Sequence, residues 1–327
     1  MADAQIPRKL GRYVIEKEIG GGTAAKVYLG HHELTGQKVA VKAVTRDKYR
    51  YARRLIIESD ILLHIDHPNI IRVYSTGETE DYLWYSMKLY EKNLSDFLNP
   101  SPWTKETESQ DLPLLTKLHI LTDVLRALVH IHKPTSERPT VIVHRDIAPP
   151  NILIDNTYNA CLSDFGLLKI GESPEFSDEL RGNPKFYGAP EQDRELGSAK
   201  PASDIFSFAF VAYQFISGIR PVGTDVRDLH TLKEEVYEAL SLLIHRSLHN
   251  WSPEVRPSAE ELLEAFERSF VDEVRRRIVL TLREHPEGLS SAETRRLLGV
   301  DKDLGSTMRT MVRDGLLRRI ETGRYVV

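Results

Sequence analysis

HRDIAPPN, residues 144–151, is the stretch on which the interpretation of this sequence depends. It places an aspartate and an asparagine, Asp146 and Asn151, in one short segment, and the SDFG motif that follows adds a second aspartate, Asp164. Ala148 stands two residues after Asp146, so no cationic side chain follows Asp146 before Asn151. The stretch therefore predicts a reaction site, and it raises the question of whether that site lacks a charge that it needs.

Two motifs upstream add features that suit phosphate binding. IGGGTAAKV is typical of a glycine-rich loop between two strands, where Gly20 and Gly22 let the backbone approach a phosphate because no Cβ intervenes. VAVK then places Lys42 on a strand, and Glu58 lies on the next predicted helix, where it can form an ion pair with Lys42. Each motif alone is weak. Their order, completed by GAPE at 188–191, indicates one common site.

In this order the motifs resemble the eukaryotic-type protein kinase family, over about residues 10–269. The residue pattern agrees with a fold of that kind. Residues 10–90 alternate apolar and polar side chains around glycine turns, as antiparallel hairpins do, and residues 91–269 follow helical spacing. We therefore predict an α+β, bilobal fold with a cleft between a small and a large lobe, preceded by a short tail at residues 1–9.

The resemblance implies a role for each motif residue. Asp146 would accept the proton of the substrate hydroxyl, Asn151 and Asp164 would hold Mg²⁺, and Lys42 would contact the phosphates of ATP. The substrate would be a protein. The other implied positions are the nucleotide-pocket residues Gly20, Gly22, Val27, Ala40, Glu58, Met87, Leu89 and Leu153, and the structural supports Asp204, Glu191 and Arg256.

Ala148 is the main departure from the family, because serine/threonine kinases carry a lysine at this position. Losing one preorganised donor costs about 10²–10³ in rate, which leaves much of a total acceleration of order 10⁶ or more. Lys42, Asp146 and Asp164 are all retained. We therefore expect an active enzyme of atypical or reduced activity that phosphorylates serine or threonine. The alternative is a nucleotide-binding pseudokinase that acts as a sensor or scaffold.

Arg145, which precedes the catalytic aspartate, points to regulation. In the family this arginine binds a phosphate on the segment between SDFG and APE. That segment offers Ser173 and Ser177 as phosphate acceptors, and it is also rich in glutamate and aspartate. We expect the segment to be ordered either by phosphorylation of one of these serines or by its carboxylates in place of phosphate.

The C-terminal residues 270–327 have a pattern of their own. Two capped helices and an amphipathic one are followed by two short strands around a glycine turn. This pattern resembles a winged helix-turn-helix domain, which binds duplex DNA in some proteins and partner proteins in others. The predicted DNA-contacting side chains lie on the third helix and the hairpin: Lys302, Ser306, Thr307, Arg309, Arg313, Arg318, Arg319 and Arg324.

Composition and charge indicate the class of protein and its location in the cell. The chain has 327 residues, 41% of them hydrophobic and 28% charged, which is typical of a soluble globular protein. Residues 271–327 carry 12 basic and 9 acidic side chains, whereas the whole chain has a net charge of −4. The N-terminus has no signal-peptide pattern, no apolar run is long enough to span a bilayer, and Cys161 is the single cysteine. We expect a cytoplasmic protein, and the sequence leaves homodimer formation open.

Overall fold

A computed structural model describes residues 6–22, 25–98, 112–136, 138–166, 169–170, 186–194, 199–221, 226–232, 238–249, 252–300, 303–320 and 323–327. Three of the predicted functional residues, Ser173, Ser177 and Lys302, lie outside these ranges. Within the described ranges, no helix is both long and apolar enough to cross a bilayer.

The N-terminal lobe is an antiparallel sheet with one helix inserted between its fourth and fifth strands. The strand order is β1-β2-β3-β4-β6-β5. The helix, α1, spans Tyr49–Leu63, as its apolar spacing predicts. The strands are β1 (Lys9–Leu10), β2 (Tyr13–Gly21), β3 (Lys26–His32), β4 (Lys38–Thr45), β5 (Val73–Glu78) and β6 (Tyr82–Lys88).

The second lobe is mainly helical and is built around two long buried helices. α3 (Leu114–His132) is an amphipathic helix that contacts the strands before and after the HRDIAPPN segment, β8 (Ile142–Val143) and β10 (Ala160–Leu162). α5 (Pro201–Ser217) begins with a proline in its first turn and ends at Gly218 in the left-handed conformation. The elements are β7 (Lys92–Asn93), α2 (Ser95–Leu98), α3 (Leu114–His132), β8 (Ile142–Val143), β9 (Ile152–Ile154), β10 (Ala160–Leu162), β11 (Lys169–Ile170), α4 (Pro190–Arg194), α5 (Pro201–Ser217), α6 (Leu229–Leu232) and α7 (Glu238–Ser247). The predicted α+β, two-lobed arrangement is confirmed.

Strand β4 explains how the two lobes share a cleft. Its side chains alternate, and Val39 and Val41 pack on the outer face of the sheet with Trp84. Ala40 and Val44 face the other way and join the large core that continues into α3 and α5. Lys42 has the same parity as Ala40 and Val44, and therefore points from the sheet toward the second lobe.

The C-terminal elements continue directly from the second lobe. One helix, α8 (Ala259–Glu284), begins at the Ser258 capping box and runs without interruption through the predicted domain boundary at residue 269. The boundary itself stays a prediction. The elements that follow are α9 (Ser291–Leu298), α10 (Gly305–Arg313), β12 (Arg318–Arg319) and β13 (Tyr325–Val326).

These last elements enclose a small core of their own. Ile278 and Leu282 of α8 pack with Met308 and Met311 of α10 and with Tyr325 of the hairpin. Leu115 at the start of α3 belongs to the same cluster. The C-terminal elements are thus joined to the second lobe both by a continuous helix and by shared apolar packing.

Candidate functional site

Lys42 is held between two carboxylates at the junction of the lobes. Its Nζ lies 2.8 and 2.9 Å from the two side-chain oxygens of Glu58 and 2.9 Å from Oδ1 of Asp164. Strand β4 supplies the lysine, α1 supplies the glutamate, and the SDFG motif supplies the aspartate. The structure therefore brings together three predicted site residues from distant parts of the chain.

Burial strengthens the electrostatic interactions of Lys42 with the two carboxylates. The side chain of Lys42 is 10% exposed and that of Glu58 is 2% exposed. Burial alone lowers the pKa of Lys42, but the carboxylates of Asp164 and Glu58 raise it well above its ordinary value. Lys42 lowers the pKa of Asp164, whereas burial raises the pKa of Glu58 against the effect of Lys42. At neutral pH the site thus presents a fixed ammonium group beside an ionised aspartate.

Two further donors fix Glu58, and the sequence predicted neither of them. The hydroxyl of Tyr85 donates to Glu58 Oε1 at 2.9 Å, and the backbone N–H of Phe165 donates to the same atom at 3.0 Å. Asp164 adopts a left-handed backbone with φ of 60°. A Cβ at Gly166 would stand 3.2 Å from Asp164 Oδ1 and 3.4 Å from Glu58 Oε2, so a side chain there would crowd both carboxylates.

The HRDIAPPN segment is joined to the SDFG motif through backbone contacts. The N–H of Asp146 donates to His144 Nδ1 at 3.2 Å, and His144 Nε2 lies 3.0 Å from the carbonyl oxygen of Ser163. The side-chain amide of Asn151 donates to the carbonyl of Asp146 at 2.8 Å, and the N–H of Ser163 donates to the carbonyl of Asn151 at 2.9 Å. The Asn151 amide oxygen is then the side-chain atom that can be offered to a cation.

Asp204 of α5, which the sequence predicts to be a structural support, contacts the backbone of the HRDIAPPN segment. Its carboxylate accepts the backbone N–H groups of His144 and Arg145, both at 2.8 Å. His132 at the end of α3 lies 2.9 Å from the same carboxylate, a contact that sequence reasoning did not predict. Arg145 adopts φ of 69°, which is unfavourable for a residue with a Cβ, so these hydrogen bonds support a strained position.

The second predicted support is also in place. Arg256 forms a bidentate pair with Glu191, with nitrogen–oxygen distances of 2.7 and 3.0 Å. The same guanidinium donates to the carbonyl of His249 and lies over the ring of Phe206. Ser203 donates to Glu191 as well, at 2.8 Å. These contacts attach α4 to the start of α5 and to the loop before α8.

The two predicted phosphate-contacting glycines, Gly20 and Gly22, border open space. A Cβ added to Gly20 or to Gly22 would meet nothing within 4 Å, so internal packing does not require glycine at either position. The intervening Gly21, which sequence reasoning did not select, has φ of 131°, and its Cβ would stand 2.5 Å from the carbonyl oxygen of Ala25. Gly21 therefore shapes the turn.

The other predicted nucleotide-pocket residues come from both lobes. Ala40 on β4 pairs directly with Met87 on β6, and both are buried. Val27, Leu89 and Leu153 are partly buried and pack against the same core. Ala40 and Met87 thus lie on the sheet of the N-terminal lobe, whereas Leu153 lies on β9 of the second lobe.

A pocket of about 220 Å³ opens beside Asp146, next to the position where the alanine replaces a lysine. Its lining includes Ala148 and Pro150 from one side and Phe186 and Tyr187 from the other. Arg145 also borders it, and burial lowers the pKa of this guanidinium to about 10, which leaves it charged at neutral pH. Phe186 is 74% exposed, so an apolar surface reaches solvent beside the predicted catalytic aspartate.

The model of the protein kinase domain matches residues 13–280, most of the chain. The chain belongs to the protein kinase family. Curated relatives include the serine/threonine-protein kinase PrkC of Bacillus subtilis (strain 168), which is 31% identical over 260 residues. That match covers 77% of this chain and 37% of the relative.

Two further curated relatives come from Candida species. The carbon catabolite-derepressing protein kinase of Candida albicans is 30% identical over 221 residues, 67% of this chain and 33% of the relative. The protein of the same name in Candida tropicalis is 28% identical over 258 residues, 78% of this chain and 38% of the relative. The kinase therefore spans little more than a third of the length of the curated relatives that it matches.

The predicted DNA-contacting side chains of the C-terminal elements differ in their exposure to solvent. Ser306, Arg309 and Arg313 are exposed on α10, and Thr307 is half-buried there. Arg318 and Arg319 are exposed on β12. Arg324 instead forms an ion pair with Glu293 at 2.8 Å, which orients its guanidinium toward α9.

Proposed function

We propose that this kinase transfers the γ-phosphate of ATP to serine or threonine residues of proteins, and to itself. The observation that carries the proposal is the placement of Lys42 between Glu58 and Asp164, with all three groups within 2.9 Å of hydrogen-bonding partners at the cleft. Such an arrangement leaves the lysine charged and oriented, as phosphate binding requires. The names of the relatives, which include a serine/threonine-protein kinase, favour the same substrate class.

The residues at the cleft fit MgATP. The open space above Gly20 and Gly22 would admit phosphates close to the backbone, and the apolar side chains around Ala40 and Met87 would enclose a flat base. Asp164 and Asn151 would hold the magnesium ions through oxygen atoms, the ligands that this ion prefers. ATP supplies the transferable phosphoryl group, and Mg²⁺ neutralises its charge.

Asp146 orients the acceptor hydroxyl and takes its proton. Its backbone is fixed by His144 and Asn151, and the pocket beside it is open to solvent. Lys42 keeps its ammonium directed at the phosphate side of the cleft. Glu191 and Arg256 hold the segment that an acceptor peptide would contact. The chain thus contributes mainly positioning and electrostatic stabilisation, as phosphoryl transfer demands.

Ala148 favours a second candidate function, a pseudokinase that binds nucleotide and acts as a sensor or scaffold. Its methyl group cannot supply the charge that a lysine would, and the neighbouring Pro150 cannot either. Phosphoryl transfer remains the favoured function, because the buried Lys42–Glu58 pair and the hydrogen bonds around Asp146 are present although the lysine is missing. A nucleotide sensor alone would not need Asp146 to be held by His144, Asn151 and the Asp204 carboxylate beneath them.

We also propose that residues 270–327 form a winged helix-turn-helix domain beside a kinase domain at 10–269. Three helices followed by a hairpin, with exposed Arg309 and Arg313 on the third helix, support this assignment. Its ligand is duplex DNA or a partner protein. Steep loss of duplex binding with rising salt supports DNA, and no binding at low salt excludes it.

Regulation through Arg145 completes the proposal. The segment between SDFG and APE would be ordered by phosphate on Ser173 or Ser177, or by its own carboxylates. The double variant Ser173→Ala/Ser177→Ala separates the two cases, because full activity in that variant rules out the phosphorylation version.

The test of the proposed reaction is phosphate transfer to a generic protein substrate, with Lys42→Met as the control for loss of the site. We expect labelled phosphoserine or phosphothreonine after mild hydrolysis of the product, and none with Lys42→Met. Labelled phosphotyrosine would overturn the acceptor class. Binding of ATP without transfer to any substrate would favour the sensor.

A further inference from the structure

Gln192 is a buried glutamine that links two segments of the site. It lies on α4 directly after Glu191 and is 7% exposed. Its side-chain oxygen accepts the backbone N–H of Ala189 at 3.0 Å, and its side-chain nitrogen donates to the backbone carbonyl of Arg145 at 3.2 Å. One amide therefore joins the GAPE turn to the residue that precedes the catalytic aspartate.

The carbonyl that Gln192 binds belongs to the peptide unit between Arg145 and Asp146. The N–H of that same peptide unit donates to His144 at 3.2 Å. On the other side of Arg145, the backbone N–H donates to Asp204 at 2.8 Å. The direction of the Asp146 side chain follows from the orientation of this peptide plane, because the plane fixes where the Asp146 Cα lies.

The plane needs such support because Arg145 is strained. Its φ of 69° lies in the left-handed region, which costs a residue with a Cβ of order 1–3 kcal/mol. Asp204 holds the N–H side of the residue and Gln192 holds the carbonyl side. Without the hydrogen bond from Gln192, the peptide plane would be free to rotate toward a more favourable conformation, and this rotation would displace Asp146.

We propose that Gln192 is a positioning residue: it makes the orientation of the Asp146 side chain depend on the conformation of residues 186–192. Phe186, Tyr187 and Gly188 line the same pocket as Asp146, so an acceptor peptide lying in the pocket would press on this segment. The Ala189–Gln192–Arg145 hydrogen bonds would carry that contact to the aspartate. This inference rests on the proposed phosphoryl transfer.

The two hydrogen bonds of Gln192 require an amide side chain. The site requires one acceptor, for Ala189, and one donor, for the carbonyl of Arg145. A neutral primary amide offers both, an ionised carboxylate offers acceptors alone, and an aliphatic side chain offers neither. Ala148 in the catalytic segment has no polar side-chain atom with which to make a similar link.

Two variants separate the two hydrogen bonds. Gln192→Glu is nearly isosteric and keeps the acceptor for Ala189, but it loses the donor to Arg145. Gln192→Leu loses both. Asn69→Leu is the matched control, because it removes another buried amide that donates to a backbone carbonyl, that of Ala160 at 3.0 Å, and neither residue belongs to the Asp146 segment.

The rate of phosphate transfer at saturating ATP is the first readout, with ATP affinity measured beside it. Displacement of a catalytic group by about 1 Å can cost of order 10²-fold, so we expect both Gln192 variants to lose about 10- to 100-fold in rate. ATP affinity should stay within about twofold, because the Gln192 side chain forms its hydrogen bonds with Ala189 and Arg145, which are not among the residues proposed to bind ATP. Asn69→Leu should keep its rate.

Hydrogen exchange of the backbone at residues 144–148 is the second readout, and it does not depend on activity. We expect faster exchange in both Gln192 variants than in the wild type and in Asn69→Leu. A Gln192→Glu protein with wild-type rate and wild-type exchange would overturn the inference. If the wild type transfers no phosphate, the proposed function fails, and the exchange result still decides the role of Gln192.

Discussion

Replacement of Glu58 by Gln isolates the charge of the buried pair without changing the shape of the side chain. Glu58 contacts Lys42 at 2.8 and 2.9 Å and is almost fully buried. Removing one partner of a buried ion pair costs about 3–5 kcal/mol. Asp164 remains 2.9 Å from Lys42, so we expect the lower end, about 3 kcal/mol in the free energy of unfolding. That corresponds to a fall in Tm of about 6–12 °C.

Thermal and urea unfolding of purified protein measure this loss. Glu78→Gln is the matched control, because Glu78 pairs with Arg46 while 66% of its side chain is exposed. Exposed pairs contribute about 0–1 kcal/mol, so the control should unfold close to the wild type. Equal Tm values for Glu58→Gln and Glu78→Gln would refute the claim that the buried pair organises the cleft.

Three further predictions concern other parts of the chain. Ala148→Lys should raise the transfer rate at saturating ATP by about tenfold or more, because it adds a cation beside Asp146 where the pocket has room. Burial by itself raises the pKa of Glu191, but the hydrogen bonds from Arg256 lower it below its ordinary value of 4.5. The ionised Glu191 therefore stabilises the fold above pH 4.5, and this contribution is lost as the pH falls further. Glu191→Gln should make the free energy of unfolding depend less on pH in this acid range, as unfolding titrations measure. Ser290→Ala should cost about 1 kcal/mol, because Ser290 accepts the N–H of Glu293 in a capping box; exchange at residues 291–298 reports it.

Each of these predictions has a contrary result. An unchanged or lower rate in Ala148→Lys would mean that the site already works without that cation, or works by another geometry. An acid unfolding profile of Glu191→Gln identical to that of the wild type would remove Glu191 from the pH dependence. Unchanged exchange in Ser290→Ala would show that the cap does not limit the stability of α9.

Local sequence signals predicted the helices well, and their physical origin explains why. The apolar period of residues 114–132 gives α3 the limits Leu114–His132, because a helix in this position must bury one continuous face. Ser290 and Gly299 mark the ends of α9, since one caps free N–H groups and the other tolerates the left-handed conformation. No local signal marks the predicted boundary at residue 269, and the single helix α8 crosses it.

The site was predictable where a motif names the residue, and it was hidden where a contact depends on the tertiary fold. Lys42, Glu58 and Asp164 belong to motifs and were predicted as a group. Tyr85 and Gln192 were not, because their partners lie 27 and 47 residues away in sequence and no local pattern marks a buried hydroxyl or amide as a hydrogen-bonding link.

Intact mass after incubation with Mg²⁺ and ATP tests the central claim most directly, that the kinase is active although Ala148 replaces a lysine. Asp146→Asn is the control, because it keeps the size of the side chain and removes the proton acceptor. We predict added multiples of the phosphate mass on the wild type and none on the control. No added mass on the wild type or on a generic substrate, while ATP still raises the Tm, would contradict the account and favour a nucleotide sensor.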